Sequence, residues 1–371
     1  MFFKKNYLKK SEDFGGPRCF YKYAYKNLKV IVIGERHHGK DCTHIPKEIA
    51  GQYIEYFLNF TNQCSQVKIF FEIDSSEEGL AREQEISRQS ASTSNLENRE
   101  SKKSFMDNIN GIPFSQNVEK VCADSRNMKD KFFYFHLFLN LVLFEVGQHI
   151  KKIESEAAIS EKEVIVSALQ DEELMESFSE LADEKCGKNY SLSEFKAFFK
   201  AEDERLALLE QTYKIKDERL GNYLAKCRSV MAHAPSLMEE MVTQYQAMRE
   251  SSEMRENISL VNLCIETMRQ EKTREIIIRL INVCQIYGDL FLDATLRCDL
   301  WEEFQTANED EEEKVIVAII GSYHASALLP FLNGRCRKVL SVDAETGKIL
   351  LPEEFKDCLM VNRSEKRCSI M

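Results

Sequence analysis

Basic charge, proline, long apolar runs and any disulfide-like cysteine spacing are all scarce in this chain, and each scarcity excludes something. Fifty Lys and Arg stand against 61 Asp and Glu, a net charge of −11. A general nucleic-acid binder carries a basic footprint, so no nucleic-acid partner is expected. The 12 cysteines include no Cys-x-x-Cys pair. With no secretory signal peptide in view, they read as free thiols in a reducing compartment. The most apolar run, Phe132 to Val146, is interrupted by His136, Asn140 and Glu145. It falls short of the roughly 20 apolar residues a bilayer requires, so it predicts a buried helix and no transmembrane span. His136 and His149, close to it, read as packing or surface residues. Between Met128 and Asp310 the only proline is Pro235, while Leu, Glu, Lys, Met and Ala dominate. That composition predicts helices.

What the chain does have is a set of short β-branched runs that end in polar residues. Val30-Ile31-Val32-Ile33-Gly34 runs into Glu35, His37 and His38. Lys68-Ile69-Phe70-Phe71 runs into Glu72 and Asp74, Val121-Cys122-Ala123 into Asp124 and Arg126, and Val315 to Gly321 into Ser322, Tyr323 and His324. Unbroken apolar runs suit strands covered on both faces, as in a parallel sheet. The carboxyl ends of such strands form the rim where α/β sites are built. The expected fold is therefore α/β, with a mostly parallel central sheet, flanking helices and a large α-helical insertion.

In chain order, 1–27 is an N-terminal segment in which Cys19 to Tyr25 reads as a short edge strand. Residues 28–127 form the first part of the α/β core, with a helix over His44 to Phe60 from its 3.6-residue apolar period. Within that part, 77–103 is almost wholly polar and reads as a mobile loop. Residues 128–310 are the helical insertion, with a capped start at Ser191-Leu192-Ser193-Glu194 and another helix opened by Pro235. Residues 311–352 return to the core with strands at Val315 to Ile320, Arg337 to Val342 and Ile349 to Leu351, and 353–371 is a flexible tail.

Gly34-Glu35-Arg36-His37 and Gly321-Ser322-Tyr323-His324 are both Gly-x-x-His, each after a β-rich run. Chance gives roughly 0.3 such pairs in a chain of this composition. With these motifs, Glu72, and the Asp124/Arg126 pair, the chain resembles the erythromycin esterase-like, Tiki, TraB and ChaN superfamily. The resemblance covers roughly residues 28 to 126 and 290 to 343. Within it, His37 matches the Tiki-like spacing and His38 the esterase-like one, and Arg297 matches the basic residue on the helix before the last motif. It implies a hydrolase, either a metal-dependent protease or an esterase. His37, Glu72 and His324 would then be metal ligands for a divalent ion such as Zn or Mn, an open site able to activate water. In a metal-free version Glu35 or His38 is the general base, and Arg126 or Arg297 stabilises the developing oxyanion, with Asp124 completing the set.

The last four residues, Cys368-Ser369-Ile370-Met371, match a Cys-a-a-X prenylation box, with Met favouring farnesyl. The expectations are a farnesyl group on Cys368 added by a prenyltransferase, and attachment to the cytosolic face of a eukaryotic membrane. One lipid chain binds marginally, so a second signal is expected from the basic tail, the N-terminal lysines or palmitoylation of Cys358. Prenyl transfer in the cytosol leaves two sources open, a eukaryotic protein or a bacterial virulence effector delivered into a host. The competing function is a non-catalytic, membrane-anchored scaffold that binds a protein partner through its helical insertion.

Overall fold

The computed structural model describes residues 16–35, 47–72, 106, 109, 112–123, 192–248, 292–308, 311–344 and 349–360. The chain divides into two compact units, one of residues 1–125 with 295–371 and one of residues 126–294. The elements are β1 (Pro17–Tyr25), β2 (Leu28–Glu35), α1 (Lys47–Asn62), β3 (Gln66–Phe71), β4 (Val118–Cys122), α2 (Leu192–Lys216), α3 (Glu218–Met231) and α4 (His233–Met248). After a helix α5 described over 292–306 come β5 (Lys314–Gly321), α6 (Ser322–Asn333), β6 (Arg337–Asp343) and α7 (Pro352–Leu359).

The six strands lie in the order β4-β3-β5-β2-β1-β6. β4, β3, β5 and β2 pair in parallel. β1 runs antiparallel to both β2 and β6. The sheet is therefore mixed, a correction to the mostly parallel expectation. The cause is local: Tyr25 pairs with Leu28, which leaves a two-residue connection, and Lys26 takes the left-handed φ of 48° that tight hairpins require. β1 is also not an edge strand. It is paired on both sides, and even Lys22 is buried within it.

The period of two divides the sheet into two apolar faces. Ile31, Ile33, Val67, Ile69, Phe71, Val315, Val317 and Ile319 pack with Tyr53 and Phe57 of α1 and Phe355, Cys358 and Leu359 of α7. The apolar contacts of α7 correct the expectation of a flexible tail from 353. Pro352 stands in its first turn, Glu354 Oε2 accepts the Leu351 N–H at 2.8 Å, and Phe355 stacks edge-on against Phe20 and Tyr53. The signal was present as Phe355, Cys358 and Leu359 at helical spacing behind a proline. Cys358 is 5% exposed in this core, and burial pushes its thiol up to about 11. Residues 349–351 form no strand; Leu350 donates one bond to the Pro17 carbonyl at 2.7 Å.

α5 and α6 cover the other face. Phe304 of α5 packs on Tyr25 and stacks with Phe331 of α6. Glu303 holds α5 to the sheet through Lys314 at 2.5 Å and Lys68 at 3.0 Å. Burial opposes ionisation of Glu303, but the bonds and charges of Lys314 and Lys68 together outweigh it and lower its pKa. One turn earlier, Asp299 is raised to about 6, chiefly by burial and further by Glu303 and Glu302, against the pull of Lys68. α6 meets the sheet at Gly34. A Cβ there would collide with Cys19 Sγ and lie 2.9 Å from Ala325 Cβ.

The second unit is described over three helices. Asp217 alone separates α2 from α3 and caps α3 by accepting the Leu220 N–H at 3.0 Å. Arg228 of α3 grips Asp203 of α2 with two bonds, at 2.9 and 3.2 Å, and Glu210 with a third at 2.9 Å. Gly221 leaves room for α2, since a Cβ on it would stand 2.6 Å from Lys214 Cα. α2 begins at Leu192 and Pro235 lies in the first turn of α4, as expected from the sequence. The expected polar loop over 77–103 and the helix over Phe132 to Val146 lie outside the described residues.

Gly34→Ala should destabilise the protein. The smaller entropy of an alanine unfolded chain favours folding by about 0.4–1 kcal/mol, whereas forcing a methyl into a filled site costs about 1–3 kcal/mol. A denaturant midpoint equal to or above that of the parent would refute the close approach of α6.

Asp299 supplies a pH test. Between its ordinary value of 3.8 and about 6, the folded state holds a proton that the unfolded state has released. Stability therefore falls as pH rises through that window. Asp299→Asn should flatten this part of the stability profile, measured by urea unfolding at pH 4, 5, 6 and 7; an unchanged slope would contradict the buried carboxyl.

Candidate active site

β5 lies between β2 and β3, in register with both. Glu35 pairs with Gly321 and Phe71 with Ile319. The ends of the first, second and last motif strands thus come side by side. The Ala123 N–H bonds to the Phe71 carbonyl at 2.6 Å, which brings the end of β4 to the same rim.

Glu72 and His324 meet at this rim. The Glu72 N–H donates to the Ile319 carbonyl at 3.3 Å, extending the β3–β5 pairing by one residue. Glu72 Oε2 accepts the Gly321 N–H at 2.6 Å. Gly321 is the N-cap of α6, which has no side-chain cap bond. The carboxylate therefore takes a donor at the helix start and sits at the positive end of its dipole. Its other oxygen, Oε1, is 3.6 Å from His324 Nε2, with both side chains nearly covered. That separation exceeds a direct hydrogen bond.

Glu35 goes elsewhere. It shares the parity of Ile31 and Ile33, and so enters the face covered by α1 and α7. It is 1% exposed, and its Oε2 accepts the Met106 N–H at 2.9 Å. Glu72 and His324 stand on the α6 side, against which Gly34 gives way. Adjacent motif residues Gly34 and Glu35 thus serve opposite faces, which the period of two would have told in advance. Arg297 is half-buried, and its Nη2 donates to the Ala327 carbonyl of α6 at 2.6 Å.

Two further features at the rim were not read from the sequence. Tyr323 is 66% exposed and sets its ring edge-on to His324 at 5.7 Å. Cys19 lies behind Gly34, and burial pushes its thiol up to about 11 in spite of a bond from Tyr21. It packs 2% exposed against Gly34. The parity of β1 was the available signal for Cys19; Tyr323 stood inside the motif itself.

His37, His38, Asp124, Arg126 and Cys368 lie outside the described residues. Among the described residues, no group of three His, Cys, Asp or Glu is placed to hold a metal ion, and no helix is long and apolar enough to cross a membrane. No family model, no curated protein and no solved structure matches the chain. The superfamily resemblance therefore rests on its motifs alone.

Proposed function

We propose that the chain is a hydrolase whose site is built on Glu72 and His324. The observation that carries this reading is their placement across one rim, 3.6 Å apart, with Glu72 fixed by the Gly321 N–H. Two donors sharing a tetrahedral ion at about 2.0–2.2 Å stand roughly 3.3–3.6 Å from each other, so the pair fits a divalent metal such as Zn or Mn. His37 is the proposed third ligand. When bound, such an ion supplies Lewis acidity and a water of lowered pKa.

The chain's own groups have separate tasks in this reading. Glu72 keeps its carboxylate in place through the bond from the Gly321 N–H, and Oε1, on the side of His324, is the proposed ligand atom. His324 is the second proposed ligand through Nε2, or in a metal-free site a proton-transfer residue beside the base. His38 is the proposed base, and Asp124 and Arg126 complete the rim as polar and anion-stabilising groups. Glu35, buried on the far face with one oxygen held by Met106, is better suited to fixing the end of β2 than to activating water.

Farnesylation of Cys368 is proposed to hold the enzyme on the cytosolic face of a eukaryotic membrane, as a virulence effector delivered into a host cell. A second reading, a scaffold that binds a protein through its helical unit, draws on Leu208 and Ile215. They are 65% and 86% exposed and stand seven residues apart on α2, a spacing that shares a helix face.

Purified full-length protein loaded with Zn or Mn should retain a stoichiometric ion by elemental analysis. His324→Ala and Glu72→Ala should each lose it, together with ester or peptide hydrolysis, while the thermal melt moves little. Full retention of metal by both variants would overturn the site, and a collapsed melt would assign the pair a structural role instead.

In cells, Cys368→Ser should move the protein from the membrane fraction to the supernatant after ultracentrifugation. Persistence on membranes would remove the lipid from the proposal.

A further inference from the structure

The geometry points to Arg297 as a positioning residue that braces α6 and so holds His324 against Glu72. The sequence had suggested an anion stabiliser at this position. In the structure its guanidinium donates from Nη2 to the carbonyl of Ala327, one turn after His324 on the same helix.

α6 has reason to need a brace there. Pro330 lies inside it and has no N–H, so the Ser326 carbonyl is denied its helical donor and the ring crowds that turn. The weakened turn directly follows the one that carries His324. A helix released at this point can pivot about its first turn, and the first turn contains the catalytic imidazole. The start of α6 is already held, by Glu72 on the Gly321 N–H and by Ala325 against Gly34. Arg297 adds a third fixed point on the far side of His324, delivered from α5. α5 is itself held to the sheet through the Glu303 contacts with Lys68 and Lys314. The far end of α6 is held by Phe331 on Phe304 and by Asn333, which accepts from the Tyr23 hydroxyl at 3.0 Å; Arg297 fixes the stretch between that end and His324.

This inference deepens the proposed site and rests on His324 being its working group. It is tested by a readout that does not use turnover, so either reading can fail alone. The probe is the imidazole NMR signal of His324 in the full-length protein, assigned by its disappearance in His324→Ala. Arg297→Met keeps the apolar stem and removes the guanidinium. It should move the His324 resonances toward the positions they take in Glu72→Ala, and Arg297→Lys, with a single-point donor, should return them most of the way. His324 signals that stay at their parent positions in folded Arg297→Met would overturn the brace, whatever the melt does. So would an imidazole that stays in place while a shift induced by inorganic phosphate in the parent disappears, because that outcome assigns Arg297 to anion binding. Should Arg297→Met fail to fold, Arg297→Gln, whose amide stops short of Ala327, is measured for the same two results.

Discussion

The position of β5 between β2 and β3 is the constraint on which the rest depends. Its backbone pairs along its length with both neighbours, and its apolar residues from Val315 to Ile320 are fully buried. A strand bonded on two sides and covered on two faces has no freedom to slip, since a shift of one residue would exchange its faces. The last motif is thereby delivered between the first two. From this follow the bond from Gly321 to Glu72, the start of α6 at the rim, and the approach of His324.

Much of this was legible, and the reasons are physical. β2, β3 and β5 are short runs of β-branched and aromatic residues that end at a glycine or an acid, a pattern helices do not share. The flanking helix α1 declared itself by period. What was not legible depended on partners distant in sequence. β1, with Lys22 among Phe20, Tyr21, Tyr23 and Tyr25, reads as an edge strand. Its burial comes from β6, more than three hundred residues away, which pairs with its other side. The helix over 352–359 was overlooked because its charged residues suggested a tail, although Phe355, Cys358 and Leu359 mark an apolar stripe.

At the rim, the residue types were legible and their directions were not. A motif read as a string treats Gly34 and Glu35 as one unit. In a strand they face opposite ways, so the glycine accommodates α6 while the acid secures Met106 in the other layer. Arg297 shows the same limit from the helix side. A guanidinium near a candidate site suggests an anion, yet here one of its donors is taken by the Ala327 carbonyl of the neighbouring helix. Sequence gives the donor; only the packing of α5 on α6 selects the acceptor.

The strand order also sets a timetable for synthesis. β2 and β3 emerge early but are not neighbours; the strand that joins them, β5, begins at Lys314, 243 residues after β3 ends at Phe71. At roughly 5–20 residues per second, a ribosome needs about 12–50 s to supply it. Until then Val30 to Ile33 and Ile69 to Phe71 stay without their central partner, and β1 waits longer still for β6. The sheet unit closes only after the residues between β3 and β6 have been made. Its nascent strands are thus exposed to chaperones, or to one another on neighbouring ribosomes, for that interval.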